Sequence, residues 1–176
     1  MLPYLFTLFG FHLPTYGLLV ALAFLAALAL TARLAKRHGL DSETVLNLSI
    51  YCAMAGIAGV KIMMILVDFG DYARNPGMLF SLSTLQAAGI FYGGLIAALI
   101  VAWFYMRRKQ LPLLATADVL APGLALGHSI GRLGCFAAGC CWGLQATVPW
   151  SVTFSNPDAH QLVGVPLGIP LHTTQL

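Results

Sequence analysis

Four long apolar segments constrain this sequence more than any other feature. They cover about residues 15–34, 42–67, 85–106 and 113–136 and consist mostly of Leu, Ala, Val, Ile, Phe and Gly. A bilayer core of about 30 Å is crossed by about 20 mostly apolar helical residues. Charged residues make up only 9% of the chain, whereas soluble domains carry about 25%. The sequence therefore predicts an all-α polytopic membrane protein with about four transmembrane helices.

The remaining segments are too short for a separate soluble domain, so we expect a single transmembrane domain over residues 1–176. Residues 142–176 are rich in Pro, Ser, Asn, Asp and Gly, which predicts a non-helical tail of short strands and loops. The N-terminus has no basic region before its apolar residues, so no removable signal peptide is predicted. The net charge of +3 rests on few ionisable groups and does not suggest a nucleic-acid partner.

Basic residues are distributed unevenly among the connections. They end the first segment, at Arg33, Lys36 and Arg37, and follow the third, at residues 107–109, whereas the second connection carries only Arg74. Because short cytoplasmic loops are enriched in Lys and Arg, the first and third connections are predicted to be cytoplasmic. The N-terminus and the tail are then extracytoplasmic. Before the second segment, residues 41–43 offer a helix cap and first-turn negative charge.

The stretch from Gly127 to Gly143 has the composition of a functional site. An arginine within an apolar run costs roughly 2.5–3.5 kcal/mol on insertion scales, so Arg132 is expected to face a polar cavity or an anionic partner. Its planar guanidinium binds phosphate or carboxylate in a bidentate manner. The alternative is an internal ion pair with Asp118 or Asp68.

Polar and thiol side chains surround this arginine. His128, Arg132 and Cys135 are spaced to share one helix face, and His128 is a candidate base, ligand or structural polar residue. A metal site is not predicted, because the adjacent pair Cys140-Cys141 does not easily place both thiolates on one tetrahedral ion. Cys135 is instead expected to fill apolar space, with Cys140 and Cys141 as free thiols or an external disulfide.

Small residues mark possible close approaches between helices. The pair Gly93-Gly94 lies inside an apolar segment and indicates close approach by a substrate or a helix. The preceding Tyr92 is either a hydrogen-bond donor to a substrate or a packed aromatic, and Tyr16 admits the same alternatives, with an interfacial position favoured. Glycines that recur at every fourth residue predict a helix-packing stripe, formed by Gly123, Gly127 and Gly131.

Several of these stretches, taken in order, resemble one known family. The segment Gly131-Arg-Leu-Gly-Cys-Phe-Ala-Ala-Gly-Cys-Cys-Trp-Gly143 resembles the Gly-Arg-x-Gly-Asn-Phe-x-Asn-x-Glu-x-x-Gly signature of prolipoprotein diacylglyceryl transferases. Tyr16-Gly-Leu18 also matches, as does Phe91-Tyr-Gly-Gly-Leu-Ile96, where the family has Phe-His-Gly-Gly-Leu-Ile. Finally, Pro170-Leu-His-Thr-Thr-Gln-Leu176 resembles the family's His-Pro-Ser/Thr-Gln-Leu-Tyr-Glu.

The resemblance implies an enzyme of the bacterial plasma membrane. Such an enzyme moves the diacylglyceryl group of phosphatidylglycerol, a membrane lipid, onto the lipobox cysteine in the signal peptide of a preprolipoprotein, and releases glycerol 1-phosphate. No metal or organic cofactor is implied.

The resemblance also assigns roles to residues. Arg132 would stabilise the phosphate, and Tyr92 occupies the position of the family's histidine, where a tyrosine would orient the phosphate or thiol by hydrogen bonding. His128, at a position where many relatives have glutamine, could supply a base. The remaining substrate-binding positions implied are Tyr16, Gly93, Gly94, Gly131, Gly134, Cys135 and Gly143.

The sequence departs from the family's pattern at informative positions. Cys135 replaces the signature asparagine and Cys140 the glutamate, which removes an amide and a carboxylate. The sequence stops at Leu176, where the family continues into Tyr-Glu and further helices, so we expect either a fragment or a C-terminally shortened relative. Two alternatives remain open: a non-catalytic membrane protein that binds phospholipid or another anion, and a thiol-redox or metal-handling membrane protein.

Overall fold

The computed structural model describes residues 2–8, 11–77, 81, 84 and 89–175 and is mainly helical. Two short strands precede the first helix, and two more lie in the C-terminal tail. In chain order the elements are β1 (Tyr4–Leu8), β2 (Phe11–Pro14), α1 (Thr15–Arg37), α2 (Ser42–Val67), α3 (Phe69–Arg74), α4 (Phe91–Lys109), α5 (Leu113–Ala138), β3 (Val152–Thr153), α6 (Pro157–Val163) and β4 (Pro170–Leu171).

The predicted membrane segments reappear as long helices. Within the described residues, α1, α2 and α5 are long and apolar enough to cross a membrane. The third predicted segment corresponds to the 19-residue α4, which begins at Phe91 and ends in three basic residues that shorten its apolar part. The predicted start of that segment, Leu85, lies outside the described residues. The chain is therefore a multi-pass, all-helical membrane protein, as predicted.

The chain forms two compact units. The first unit comprises residues 1–31 and 119–176, and the second comprises residues 32–118. The boundaries fall inside α1 and α5, so each of these long helices contributes to both units. The two units are described separately below.

In the second unit, α2 and α4 approach each other closely through glycines. A Cβ added at Gly59 would overlap the carbonyl oxygen of Gly93, and a Cβ at Gly93 would overlap that of Gly59. A Cβ at Gly94 would lie 2.7 Å from Val60 Cγ1 and 2.9 Å from the Gly56 carbonyl oxygen. The paired glycines of α4 therefore accommodate α2, which is one of the two kinds of close approach that the sequence indicates; their substrate-binding role stays a prediction.

The start of α2 follows the predicted capping pattern. Asp41 adopts an extended conformation, and its carboxylate accepts a 2.9 Å hydrogen bond from the Thr44 backbone N–H. The Thr44 hydroxyl donates to the same carboxylate, and Glu43 lies in the first turn. These interactions satisfy an otherwise unpaired amide and place negative charge at the positive end of the helix dipole.

In the first unit, the predicted glycine stripe of α5 faces α1. A Cβ at Gly123 would overlap the Thr31 hydroxyl, and a Cβ at Gly127 would lie 3.3 Å from Ala27 Cβ. Gly131 differs, because a Cβ there would meet no atom of the described residues within 4 Å. The packing role is thus confirmed at Gly123 and Gly127, whereas Gly131 borders open space.

The C-terminal tail packs around its own small core. Phe154, Ala159, Val165 and Leu171 form a buried cluster, and β3 pairs with β4 in an antiparallel manner. The predicted strands and loops are present, together with the seven-residue α6. The side chain of Asn156 caps this helix. An asparagine at this position is a sequence signal for the start of a helix, and the prediction of strands and loops over residues 142–176 did not use it.

The end of α5 is fixed against this core. Gly139 has a φ of +78°, and a Cβ there would lie 3.2 Å from Ala159 Cβ. The Phe136 and Phe154 ring centroids lie 6.3 Å apart. The last turn of α5 is therefore held next to the tail, and the candidate site lies where the two meet.

Candidate active site

A cavity in the first unit lies between the C-terminal half of α5 and the end of the tail. Its volume is about 440 Å³, within the range of about 300–1,000 Å³ typical of small-molecule sites. It is lined by His128, Ser129, Ile130, Arg132, Leu133, Thr174 and Gln175.

Arg132 is the fixed cation of this cavity. Its Nη2 atom donates a hydrogen bond to the Thr174 carbonyl oxygen, and its side chain is half-buried. A guanidinium carries five N–H donors, so several remain available to a ligand in the cavity. Asp118 and Asp68, the partners that the sequence suggested, both belong to the second unit. The contact that the structure shows for Arg132 is to a neutral carbonyl, which leaves its charge available for an anion.

The C-terminal segment, defined here as residues 170–175, runs alongside the signature loop, residues 139–146. The Gly143 N–H donates to the His172 carbonyl oxygen at 2.9 Å, and the His172 N–H donates to the Leu144 carbonyl oxygen at 2.9 Å. Gln175 Nε2 donates to the Cys140 carbonyl oxygen at 2.7 Å. Two motifs that are separate in sequence therefore form one structural element beside Arg132.

Gly143 is required by this close approach. A Cβ at that position would lie 3.0 Å from both the His172 carbonyl oxygen and Thr174 Cγ2, and 3.1 Å from His172 Cβ. Each distance is shorter than an ordinary van der Waals contact. The last glycine of the signature thus allows the C-terminal segment to reach Arg132.

His128 and Arg132 line the same cavity wall. They are four residues apart on α5, and the imidazole is exposed. This confirms the predicted shared face for these two residues. Cys135, the third residue predicted on that face, is not among the cavity-lining residues and instead approaches two other cysteines.

Tyr16 lies in the first turn of α1 and packs on the signature helix. A Cβ at Gly134 would lie 3.2 Å from Tyr16 Cδ2, so Gly134 gives this ring its space. The described wall of the cavity does not include Tyr16.

The three cysteines of the signature region converge. The Sγ atoms of Cys135, Cys140 and Cys141 all lie within 4.8 Å of one another, and those of Cys140 and Cys141 are 3.7 Å apart. All are free thiols. The sequence predicted no metal site, on the ground that an adjacent pair does not easily place both thiolates on one ion; in the structure the sulfurs of the adjacent pair nevertheless lie close together, and Cys141 adopts a left-handed conformation with φ of +60°. Burial raises the pKa of the Cys140 thiol to about 12, with a further contribution from its contact with Cys141.

The predicted residues Tyr92, Gly93 and Gly94 belong to the second unit. Tyr92 is exposed at the start of α4, with its ring centroid 5.9 Å from that of Phe91, and both glycines are buried against α2. The second unit also contains a larger cavity of about 730 Å³. Because its lining carries none of the signature residues, the smaller cavity at Arg132 is the better candidate site. The larger cavity is lined by Tyr51, Val101, Phe104, Tyr105, Arg107 and Arg108.

Thr174 and Gln175 are site residues to which the sequence assigned no role. Both line the cavity, and Gln175 is only 3% exposed. Within the described residues its Oε1 atom is buried without a hydrogen-bond partner, although its Nε2 is bonded to Cys140. Their place in the last matching motif was the available signal, but nothing in it indicated contact with residue 132.

Comparisons of the sequence with known proteins point to one family. A sequence profile described as prolipoprotein diacylglyceryl transferase matches residues 3–176. A phosphatidylglycerol–prolipoprotein diacylglyceryl transferase of Clostridium tetani is 35% identical over 176 residues, covering 100% of this chain and 68% of the relative. The protein of the same name from Finegoldia magna is 28% identical, with 88% of this chain and 62% of the relative covered. The protein of the same name from Dehalococcoides mccartyi strain BAV1 is 30% identical, with 98% of this chain and 64% of the relative covered.

The chain thus spans about two thirds of the length of these relatives, with coverages of 68%, 62% and 64%. The profile match extends over nearly the entire chain and includes Arg132, the C-terminal segment and the glycines of α4. The chain belongs to the prolipoprotein diacylglyceryl transferase family.

Proposed function

We propose that this chain transfers the diacylglyceryl group of phosphatidylglycerol to the lipobox cysteine in the signal peptide of a preprolipoprotein. The thiol gives its proton to a base, for which His128 is proposed below, and its sulfur bonds to the diacylglyceryl carbon that is joined to the phosphate. The carbon–oxygen bond to the phosphate breaks, and glycerol 1-phosphate leaves. The observation that carries this proposal is the position of Arg132 on the cavity wall, where Thr174 orients the guanidinium.

Arg132 would act on the leaving group. Negative charge develops on the phosphate oxygen as the carbon–oxygen bond breaks, and a preorganised cation stabilises that charge. The apolar side chains of Ile130 and Leu133 border the same cavity, and a less polar surrounding strengthens the electrostatic interaction. The cavity thus suits a lipid phosphate, with the guanidinium donors directed at its oxygens.

His128 is the proposed base, since it lines the cavity one helical turn before Arg132. Tyr92 is proposed to orient the phosphate or the thiol by hydrogen bonding. Tyr16 is proposed to border the substrate through its packing on Gly134. Gly131 would contribute by leaving space, because a Cβ there would meet nothing within 4 Å among the described residues.

The proposed location is the bacterial plasma membrane, with the N-terminus and the tail extracytoplasmic. Arg33, Lys36 and Arg37 lie at the end of α1, and three basic residues end α4. The positive-inside rule assigns both ends to the cytoplasm. The third connection leads into the start of α5, and the cavity lies towards the other end of that helix. The cavity would then be accessible to a signal peptide at the outer surface.

The test is transfer by the full chain in vesicles containing phosphatidylglycerol labelled in its diacylglyceryl group. A peptide with a lipobox cysteine serves as acceptor, and the product is the labelled thioether. Arg132→Ala should lower the rate by about 100- to 1,000-fold, the usual effect of removing a donor that stabilises developing negative charge. Arg132→Lys should recover only part of this, since lysine lacks the planar fork.

Arg74→Ala is the matched control, because Arg74 is an exposed arginine on α3. It should transfer at the wild-type rate. Unchanged transfer in Arg132→Ala would contradict the assignment of Arg132. Binding of phosphatidylglycerol without any transfer by the wild type would favour the non-catalytic alternative. That alternative is supported by Cys135 and Cys140, which replace the asparagine and the glutamate of the family signature.

A further inference from the structure

The cysteines of the signature region form a compact group of three sulfurs. Cys135 lies in the last turn of α5, and Cys140 and Cys141 lie in the loop that follows. Their Sγ atoms all lie within 4.8 Å of one another, and the closest pair is 3.7 Å apart. The transfer reaction proposed above assigns no role to the sulfurs of Cys140 and Cys141.

The backbone holds the three sulfurs in this arrangement. The Cys140 N–H donates to the Cys135 carbonyl oxygen at 3.0 Å, which folds the loop back onto the helix end. Gly139 and Cys141 both have positive φ, +78° and +60°. Positive φ is uncommon for a residue with a side chain, so the surrounding contacts must hold Cys141 in place.

The C-terminal segment provides those contacts. The Thr174 hydroxyl donates to the Cys141 carbonyl oxygen, and Gln175 Nε2 donates to the Cys140 carbonyl oxygen at 2.7 Å. Because both cysteine carbonyls are fixed from outside the loop, the thiols are positioned before any ligand arrives.

The spacing fits coordination of one metal ion. Sulfur ligands lie about 2.3 Å from Zn²⁺, which places two sulfurs of a tetrahedral site about 3.8 Å apart. The closest pair already has this separation, and the third sulfur needs a shift of no more than about 1 Å to reach it. Thiolates are soft ligands that favour Zn²⁺ and Cu⁺ over Mg²⁺ or Ca²⁺.

We propose that Cys135, Cys140 and Cys141 bind one thiophilic cation of the Zn²⁺ or Cu⁺ type through three thiolates, with a fourth position open. On binding, the coordinating thiols release their protons to solvent. The site links the end of α5 to the loop held by the C-terminal segment, so the bound ion would cross-link these elements. This proposal concerns this chain's own thiols and does not depend on the transferase activity.

The experiment titrates the purified full chain with Co²⁺, a spectroscopic probe for tetrahedral thiolate sites. The detergent-solubilised protein is kept under nitrogen with a non-thiol reductant, and four free thiols are counted before the titration. One equivalent of Co²⁺ should produce sulfur-to-cobalt charge-transfer absorption, and Zn²⁺ should displace it. X-ray absorption of the Zn²⁺ form should show three sulfur neighbours.

Variants distinguish this site from adventitious thiol binding. Serine at Cys135, Cys140 or Cys141 should each weaken Co²⁺ binding at least tenfold, with an unchanged helical circular-dichroism spectrum showing that the variant is folded. Cys52→Ser is the matched control, because this thiol lies on α2, where it contacts the Ala98 carbonyl oxygen at 3.6 Å. It should bind as the wild type does. Absence of charge-transfer absorption in the reduced wild type, or equal loss in Cys52→Ser, would overturn the proposal.

Discussion

Replacing Gly143 with alanine tests how the C-terminal segment is held at Arg132. The added Cβ would lie 3.0 Å from the His172 carbonyl oxygen and from Thr174 Cγ2, and 3.1 Å from His172 Cβ. The segment cannot yield by a side-chain rotation alone, because the obstructing oxygen belongs to a backbone that is hydrogen-bonded to the loop in both directions. The substitution should therefore displace the segment.

The magnitude follows from two costs. Overpacking of this kind typically costs about 1–3 kcal/mol, and loss of the Gly143–His172 hydrogen bond adds about 0.5–1.5 kcal/mol. Partial relaxation of the exposed tail lowers the total, so we expect about 2 kcal/mol. That shifts the equilibrium between docked and undocked segment by roughly thirtyfold.

Hydrogen–deuterium exchange of the full chain in detergent measures this shift. The amides of Gly143, Ala146 and His172 donate to backbone carbonyls between the loop and the segment, so peptides containing them should exchange roughly thirtyfold faster in Gly143→Ala. The rate of diacylglyceryl transfer should fall as well, because the carbonyl that orients Arg132 moves with the segment.

Gly70→Ala is the matched control, because a Cβ at Gly70 would meet nothing within 4 Å among the described residues. It lies in α3, so exchange of the loop and segment should stay at the wild-type rate. The reasoning is refuted if Gly143→Ala exchanges like the wild type, or if Gly70→Ala accelerates the same peptides equally.

Three further predictions concern individual residues. Gly93→Ala should destabilise the chain by about 1–3 kcal/mol in thermal unfolding, because its Cβ would overlap the Gly59 carbonyl oxygen; an unchanged midpoint would contradict the helix contact. Hydrogen bonds from Thr44 lower the pKa of the Asp41 carboxyl, so the cap stabilises α2 above the ordinary carboxyl pKa and is lost as the pH falls through the lowered pKa. The fall in melting temperature below about pH 4 should therefore be smaller in Asp41→Asn than in the wild type. In the reduced, metal-free chain the pKa of Cys140 is raised to about 12, so iodoacetamide should alkylate it at pH 8 roughly a thousandfold more slowly than an ordinary thiol; timed peptide mass spectrometry would detect a normal rate, which would contradict this.

Features encoded locally could be predicted from the sequence. The bilayer-spanning length and apolar composition of α1, α2 and α5 depend only on consecutive residues, and the Asp41 cap depends on residues three apart. The arginine of the signature was identified because a charge inside an apolar run needs a specific reason. Each of these signals lies within one helix or its first turn.

Features that depend on pairing between residues far apart in the sequence could not be predicted. The β1–β2 hairpin pairs Tyr4 with Pro14, yet this N-terminal stretch shows no strand alternation clear enough to predict it. The antiparallel contact between the loop and the C-terminal segment joins residues almost thirty positions apart. The convergence of the thiols depends on the left-handed conformation of Cys141, a backbone state that its residue type does not encode.

The contact between the signature loop and the C-terminal segment explains why Gly143 and Arg132 occur together in the signature. Placing an arginine near the end of a membrane helix is costly unless its donors are satisfied. Here the Thr174 carbonyl oxygen accepts one of those donors, and Thr174 can reach Arg132 only because Gly143 has no side chain to block the segment. The charge at Arg132 is thereby oriented without being neutralised, since its protein partner is a carbonyl dipole and not a carboxylate. An arginine held in this way remains available to an anionic ligand, which is what a phosphate-binding site in a membrane requires.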